Sequence, residues 1–232
     1  MDTKPDCSEC HISNTSTFKT LNEEQIKYVS KNQTCVGFKK GEIIYNEGSK
    51  PTGLIFLCKG KVKIFKEGVG GRDQIIRMTR PEGIIGFRAL FAEDKYIASA
   101  EVLEDALVTV LDKDLLKKLI SENSDFAMQL MEKFAKELGF SSQRTVSLTQ
   151  KHIRGRLAES LLFIADTYGF EDDERTINVY LSREDLANLS NMTTSNAIRT
   201  LSTFASEDVV KVDGRRISIL KLEVLRKISE LG

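Results

Sequence analysis

The sequence predicts an α+β chain in which a small β jelly roll is followed by a long helix and a winged helix-turn-helix. Three observations predict this fold. Ten of the fifteen glycines fall between Gly37 and Gly86, among short β-rich runs. A heptad-like apolar pattern occupies about Ser124 to Gln150, and two short helical patterns joined by a polar turn occupy Ser182 to Phe204.

These patterns divide the chain into four expected parts. They are a polar N-terminal segment, a β jelly roll, a dimerisation helix and a winged helix-turn-helix domain, at residues 1–17, 18–123, 124–150 and 151–232.

The composition is that of a globular chain with no overall charge. The 232 residues are 41% hydrophobic, and 34 Lys and Arg balance 34 Asp and Glu. Residues 182–232 hold eight basic and seven acidic side chains, so any attraction to phosphate must come from local placement. The sequence contains no run of about 18 apolar residues and no apolar signal segment, which predicts a cytoplasmic chain with no membrane partner.

The N-terminal segment carries Cys7, Cys10 and His11. A structural zinc site or an iron–sulfur cluster needs four ligands, and the only other cysteines are Cys35 and Cys58. Both of these lie near apolar, strand-like segments, where a buried free thiol is the commoner role. We therefore expect no metal and no cofactor, with metal binding as the lesser alternative.

The glycine-rich region is predicted to be antiparallel β structure. Phe18, Leu21, Ile26 and Val29 first suggest a short helix. Short β-rich runs follow, and their regular spacing favours a jelly roll or small barrel; they are Glu42–Tyr45, Leu54–Cys58, Lys61–Phe65, Gln74–Met78, Ile97–Leu103 and Leu107–Leu111.

The β region contains no histidine, because the chain has only His11 and His152. A metal-dependent enzyme of the cupin type needs clustered His and carboxylate ligands. We therefore expect no enzyme and no catalytic residues.

The long helix carries an apolar seam at alternating steps of four and three residues. A packed face within one subunit is one interpretation of the seam, and a two-stranded dimer contact is the one we favour. The residues expected at the dimer interface are Met131, Phe134, Leu138, Thr145 and Leu148.

The two short helices that follow have clear start signals. Ser182 with Asp185 three residues later forms a capping box, and Thr193 can cap the second helix. The apolar residues expected to close the second helix against the first are Ala197, Ile198, Leu201 and Phe204.

The second helix is expected to present a recognition surface at its N-terminal half. Thr193, Thr194 and Ser195 supply small hydroxyls beside free backbone N–H groups, and Arg199 can donate two hydrogen bonds to guanine. Arg183, at the start of the first helix, is a further expected DNA contact. A plain packing unit remains the alternative interpretation of such a helix pair.

A β hairpin is predicted next, with Val209–Val212 and Arg216–Leu220 around Asp213-Gly214. Arg215 and Arg216 at its tip are candidates for phosphate contacts, with a solvated turn as the alternative.

The order of these parts resembles that of the CRP/FNR family of bacterial transcription regulators, over about Leu21 to Leu220. The motifs that carry the resemblance are FKKGEIIYNEGS, GLIFLCKGKVKIF, ASAEVLEDA, HIRGRLAESLLFIA and LSREDLANLSNMTTSNAIRTL. The resemblance implies a cyclic-nucleotide-binding-like jelly roll, a homodimer, and a winged helix that binds a palindromic operator in double-stranded DNA. It leaves RNA polymerase open as a further partner.

The resemblance also locates an effector site, where this chain departs from the cyclic-AMP-binding members. Those members follow the turn at Gly86 with a Glu that bonds the ribose, and here Phe87 stands there. Their phosphate-binding Arg-Ser pair falls on Ala98 and Ser99. Because a methyl group cannot replace an Arg that neutralises a buried phosphate, we expect an effector other than cyclic AMP.

Three further residues complete the expected effector site. Arg88 is one residue from the missing Glu and could serve another anion, and Ser141 and Ser142 fall where cyclic-AMP-binding members contact adenine. A jelly roll that serves only as a dimerisation scaffold is the main rival hypothesis.

Two other family features are incomplete in this chain. Oxygen-sensing members hold an iron–sulfur cluster on N-terminal cysteines spaced C-x2-C-x5-C, but here Ser16 follows Cys7 and Cys10 at the third position. A redox sensor with an atypical cysteine set is therefore an alternative function. In the recognition helix, Ser195 replaces the Glu found four residues before Arg199, which predicts a different preferred half-site.

Overall fold

The structure is a computed structural model that describes Cys10 and residues 15–232. The chain divides into two compact units. The first contains the residues through Lys66 together with Arg77–Gly139, and the second contains Glu67–Ile76 together with Phe140–Gly232. The second unit is thus built from two separate stretches of chain.

The first unit is a β sheet with flanking helices. Its elements in chain order are α1 (Glu23–Asn32), β1 (Thr34–Phe38), β2 (Ile43–Tyr45), β3 (Gly53–Glu67), the end of β4 (Asp73–Thr79), β5 (Ile84–Ile85), α2 (Phe87–Phe91), β6 (Ser99–Asp112), α3 (Lys113–Glu122) and the start of α4 (Ser124–Gln150). Glu67 of β3 and Asp73–Ile76 of β4 belong to the second unit. The six strands form one sheet in the order β1-β6-β3-β4, with β2 on β6 and β5 on β3. The predicted α+β class is confirmed, and the sheet path among the described strands is open rather than closed into a barrel.

Two of the strands are longer than the sequence predicted. The runs Leu54–Cys58 and Lys61–Phe65 belong to the single strand β3, which pairs with β6 from Gly53↔Asp112 to Phe65↔Ser99. Gly60 lies inside β3 with φ 92°, and a Cβ there would meet the Asp105 carbonyl oxygen at 2.6 Å. The glycine therefore lies at a β-bulge inside one strand, where the sequence predicted two separate β runs.

Residues near the N-terminal end of the described chain complete an apolar core. Phe18 is buried, packs edge-on to Phe56 at 5.4 Å between ring centroids, and stacks on Phe126 of α4 at 5.6 Å. The helix predicted from Phe18 begins only at Glu23, because the Asn22 side chain accepts a hydrogen bond from the backbone N–H of Gln25 and caps it there.

The expectation of free thiols at Cys35 and Cys58 is wrong. Cys58 forms a disulfide with Cys10, and Cys35 is also disulfide-bonded. The apolar surroundings of Cys35 and Cys58 had suggested inert thiols, and the sequence offered no sign that Cys10 lies against the sheet. Cys7 and His11 lie outside the described residues.

The second unit contains the helix-turn-helix and the hairpin. Its elements are the end of α4, then α5 (Ile153–Tyr168), α6 (Arg183–Leu189), α7 (Thr194–Ser206), β7 (Val210–Asp213), β8 (Arg216–Ile219) and α8 (Leu222–Leu231). Its core is formed by buried apolar side chains from α5, α6, α7, α8 and the hairpin, among them Leu157, Leu161, Leu186, Leu201, Phe204, Ile217 and Leu225. In the part of the chain that the structure describes, no helix has both the length and the apolar character needed to cross a membrane.

Candidate DNA-binding surface and effector cavity

The first helix of the pair starts as the sequence predicted. The Ser182 side chain accepts from the Asp185 backbone N–H at 2.9 Å, and the Asp185 carboxylate accepts from the Ser182 N–H at 3.2 Å. This capping box satisfies two of the donors that a helix N-terminus leaves open. Asn191, in the turn that follows α6, has φ 49°, a left-handed conformation that Asn tolerates.

The second helix is capped by Thr193, whose hydroxyl accepts from the Asn196 N–H at 3.3 Å. Ala197, Leu201 and Phe204 are buried as predicted, but Ile198 is 46% exposed. One step along a helix turns a side chain by about 100°, so Ile198 leaves the inner face that its neighbour Ala197 occupies. We call the exposed side the outer face of α7; it consists of Thr194, Ser195, Ile198 and Arg199.

Arg199 is held in place by a neighbour that sequence reasoning missed. Its Nη2 donates to the Asn196 Oδ1 at 2.7 Å. The signal was the spacing of three residues, which puts two side chains side by side on a helix. A guanidinium has five N–H donors, so this bond orients Arg199 and leaves donors for a base edge.

The other three predicted arginines lie at or near the hairpin tip, and each has a different set of partners. Arg183 Nη2 donates to the Gly214 carbonyl oxygen at 2.6 Å, which ties the start of α6 to the hairpin loop. Arg216 is ion-paired with Glu171. Arg215 is exposed and has no ion-pair partner in the described part of the chain. Of the two residues predicted at the tip, Arg215 is therefore the one available to a phosphate.

The turn between α6 and α7 is held by side chains from outside both helices. Arg144 of α4 donates from Nη2 to the Leu189 carbonyl oxygen at 2.7 Å, and Gln74 donates from Nε2 to the Asn188 carbonyl oxygen at 2.6 Å. The last carbonyls of a helix have no partner within it, so these donors complete α6. Arg144 is 7% exposed, and burial lowers the pKa of its guanidinium. All four residues belong to the second unit.

The residues predicted to bind an effector mostly have structural roles. Gly86 has φ 72° and precedes α2, and a Cβ there would meet Tyr96 Cε1 at 2.6 Å. Arg88 Nη2 pairs with Asp94 at 2.9 Å. Ala98 is buried in the core, and Ser99 Oγ accepts from the Glu47 N–H at 2.9 Å.

A cavity of ≈ 190 Å³ lies in the first unit, and Phe87 is the one predicted effector residue that lines it. Ser141 and Ser142 are exposed residues of α4 that do not line this cavity. Its lining consists of Arg77, Gly83, Ile84, Phe87, Lys133, Phe134, Lys136 and Glu137.

The cavity combines an aromatic wall with cationic groups. The Phe87 and Phe134 rings stack at 4.5 Å between centroids, and the Arg77 guanidinium lies 5.3 Å from the Phe87 ring centroid. Arg77 Nη2 pairs with Glu137 at 2.7 Å, and burial lowers the pKa of both Arg77 and Lys133. Such a site can hold a small ligand with a negative charge and an apolar body. Arg77 was missed, although it is the one charged residue in the run IIRMT.

The residues predicted at a dimer interface fall on two faces of α4. Met131 and Leu138 are 53% and 71% exposed, and Thr145 is exposed. Phe134 instead stacks on Phe87, and Leu148 is half-buried. The predicted interface therefore combined two groups of residues. Met131, Leu138 and Thr145 form a solvent-exposed seam, whereas Phe134 packs inside the first unit.

Comparison with known proteins agrees with this architecture. Residues 35–123 match the model of the cyclic nucleotide-binding domain, and residues 155–228 match that of the Crp-like helix-turn-helix domain. The chain is similar to the CRP-like cAMP-activated global transcriptional regulator of Mycobacterium tuberculosis, with 23% identity over 211 residues that cover 90% of this chain and 94% of that protein. It is 27% identical over 191 residues to the anaerobic regulatory protein of Bacillus subtilis, covering 81% and 80% of the two chains.

The fold is also that of solved regulators. FixK2 from Bradyrhizobium japonicum matches with a TM-score of 0.75 and 23% identity, covering 84% of this chain and 96% of that one. A cyclic nucleotide-binding-type domain followed by a Crp-like helix-turn-helix defines a DNA-binding regulator. The chain belongs to the CRP/FNR family of transcription regulators.

Proposed function

We propose that this regulator is a homodimer that binds a palindromic operator in duplex DNA and responds to a small effector other than cyclic AMP. The observation that carries the DNA-binding part is the outer face of α7, which stands exposed at the N-terminal half of a 13-residue helix.

The chemistry of the outer face suits the major groove. Arg199, oriented by Asn196, can donate two hydrogen bonds to guanine O6 and N7. Ser195 can bond either kind of base edge, and the exposed Ile198 can contact a thymine methyl group. The N-terminal backbone N–H groups and the Thr194 hydroxyl suit a phosphate. Ser195 stands where other family members have a Glu four residues before the Arg. The preferred half-site should therefore differ from the one that a Glu-and-Arg pair selects.

The test is selection of bound sequences from random duplex DNA, followed by affinity measurements with Arg199→Ala. We expect that variant to lose about 1 to 3 kcal/mol of discrimination, or about 5- to 150-fold, between the selected operator and scrambled DNA. Arg226→Ala is the matched control, because it removes the same charge from an exposed residue of α8 that pairs with Glu223. Equal discrimination by the two variants would contradict the assignment of Arg199.

The effector is proposed to occupy the cavity beside Phe87. At ≈ 190 Å³ the cavity is below the roughly 300 Å³ at which pockets for drug-sized ligands begin. Arg77 and Lys133 favour an anion, and the stacked Phe87 and Phe134 favour an apolar or aromatic body. A small aromatic or aliphatic carboxylate fits these features better than a nucleotide does.

Thermal shift measurements with cyclic AMP and a panel of small carboxylates test this assignment. We expect a carboxylate to raise the melting temperature of the wild type and to have less effect on Lys133→Met. Lys27→Met, at an exposed residue of α1, is the control. Stabilisation by cyclic AMP alone would overturn the ligand class, and no stabilisation by any compound would favour the scaffold hypothesis.

The dimer is proposed to form through the solvent-facing seam of α4. Met131, Leu138 and Thr145 are exposed and recur at intervals of seven, the spacing at which two helices pack side by side. A second copy of this chain presents the same seam, so the exposed Met131 and Leu138 of one copy can cover those of the other. Two copies would also supply the paired recognition helices that a palindrome requires.

A further inference from the structure

Three of the four cysteines meet at one place in the first unit. Cys10 is bonded to Cys58 of β3, with 5.2 Å between their Cα atoms and a sequence separation of 48. Cys35 of β1 is disulfide-bonded as well. Cys10 is thus tied covalently to the sheet.

A buried hydroxyl stands between these sulfur atoms. Thr109 of β6 is fully buried, and its Oγ1 lies 3.2 Å from Cys10 Sγ and 3.1 Å from Cys35 Sγ. Cys10 is 5% exposed, whereas Cys35 and Cys58 are half-buried. Cys35 and Cys58 are therefore the members of the cluster that solvent reaches in part.

The compartment in which a DNA-binding regulator works determines whether its disulfides are permanent or transient. Bacterial DNA lies in a compartment where thiol reductants keep protein cysteines reduced, and disulfides that form there are mostly transient and redox-sensing. A bond between Cys10 and Cys58 is therefore expected to change with the state of the cell rather than to act as a permanent staple.

We propose that Cys10 and Cys58 form a reversible dithiol–disulfide site whose redox state is transmitted to helix α4. The reaction partner is a dithiol. One thiolate of the dithiol attacks a sulfur of the protein disulfide, forms a mixed disulfide and releases the other protein cysteine as a thiolate. The second thiolate of the reductant then closes its own disulfide and releases the remaining cysteine. Two electrons and two protons pass to the protein, and oxidation is the reverse.

The contacts that follow Cys10 in the chain connect the site to α4. Thr17 Oγ1 accepts a hydrogen bond from Lys133 Nζ, and the Phe18 ring stacks on Phe126 at 5.6 Å. Lys133 also lines the cavity. When the disulfide opens, the segment loses its covalent anchor, and these contacts to α4 loosen with it.

The second set of contacts lies one turn of chain further on. Thr20 Oγ1 lies 3.3 Å from Gln129 Oε1, and Asn123 Nδ2 donates to the Thr20 carbonyl oxygen at 2.9 Å. Both of these partners belong to the start of α4 or to the residue before it. Residues 17–20 thus contact α4, or the residue before it, at several successive positions. A change in the order of these residues would therefore alter the packing of α4.

The first experiment maps the disulfides of the full chain equilibrated in buffers of graded reduced-to-oxidised dithiothreitol ratio. Glutamyl endopeptidase cleaves after Glu9 and so separates Cys7 from Cys10, which trypsin does not. We expect a Cys10–Cys58 cross-linked peptide that disappears in one two-electron transition. Cys35→Ser is the matched control and should retain this cross-link, whereas Cys58→Ser should lose it.

Three outcomes would overturn the dithiol–disulfide site. The first is the absence of a Cys10–Cys58 cross-link under every condition. The second is a cross-link from Cys10 to another cysteine that forms in Cys58→Ser as fully as the original does in the wild type. The third is equimolar zinc binding by the reduced protein that blocks the cross-link. Cys58→Ala provides a second variant should the Ser variant fail to fold.

The second experiment measures hydrogen exchange in the oxidised and reduced forms. We expect reduction to speed exchange at least several-fold in residues 15–21 and in the first half of α4 of the wild type, with no such change in Cys58→Ser. Equal exchange in the two forms of the wild type would refute the connection to α4. Neither readout uses DNA, so a failure of the proposed operator binding would leave both results interpretable.

Discussion

Replacing Arg144 by Met should destabilise the second unit by about 1 to 2 kcal/mol. The substitution keeps an unbranched apolar stem and removes the donor that bonds the Leu189 carbonyl oxygen at 2.7 Å. A hydrogen bond to a charged group contributes about 1.5 to 3 kcal/mol. Part of that is offset because Met needs no desolvation, whereas burial lowers the pKa of the Arg144 guanidinium and so disfavours its charge.

Arg154→Met is the matched control for this prediction. Arg154 belongs to the same unit and also lies over a ring, 4.8 Å from the Phe204 centroid, where Arg144 lies 5.5 Å from that of Phe163. Its ion pair with Glu207 is, however, solvent-exposed, and exposed pairs contribute about 0 to 1 kcal/mol. The control should therefore cost less than the test substitution.

Differential scanning calorimetry is the suitable assay, because the chain has no Trp for fluorescence. For a domain of this size, 1 kcal/mol corresponds to about 4 to 8 °C in Tm. The transition that includes the second unit should fall by roughly that amount or more in Arg144→Met. If the Tm of Arg144→Met were equal to or higher than that of Arg154→Met, the reasoning would be refuted. Such a result would mean that the cost of desolvating Arg144 outweighs its hydrogen bond.

Three other outcomes are expected. Leu138→Glu places an unpaired charge in the proposed seam of α4 and should make the protein sediment as a monomer at micromolar concentration, so a persistent dimer would place the interface elsewhere. Gly86→Ala should lower the free energy of unfolding in urea by about 1 to 3 kcal/mol more than Gly41→Ala, because both have positive φ but only the former meets a ring, and equal losses would exclude the collision. Hydrogen bonds from Thr176 lower the pKa of Asp173 to about 2 from 3.8, so its contribution to stability is present above pH 4 and is lost as the pH falls toward 2; Asp173→Asn should flatten that part of a stability–pH curve, and an unchanged curve would contradict it.

The helix-turn-helix could be predicted closely because its signals are local. The caps at Ser182 and Thr193 depend on residues three positions apart, and both are present. Burial of Ala197 and Phe204 follows from helical spacing alone. Ile198 was misplaced because an apolar side chain was assumed to turn inward, whereas the structure leaves it exposed on the outer face of α7.

The cavity could not be predicted because it depends on residues far apart in the chain. Arg77 of β4 meets Glu137 of α4 across 60 positions, and no periodicity links them. Phe134 fits the heptad pattern that predicted a dimer contact, but its ring stacks on Phe87 within the first unit. The disulfide between Cys10 and Cys58 could not be predicted for the same reason. The two residues are far apart in the sequence, and only the fold brings them together.

The two-part construction of the second unit affects how such regulators can be taken apart or recombined. A fragment beginning at Phe140 would retain Arg144 and the whole helix-turn-helix but would lack Gln74, which bonds the Asn188 carbonyl, and Arg72, which bonds the Asn191 side chain at 3.1 Å. A chimaera that exchanges only the C-terminal segment would place a foreign loop against the turn between α6 and α7. The natural unit of exchange therefore includes residues 67–76, and grafting that loop together with residues 140–232 should preserve operator preference better than the shorter graft.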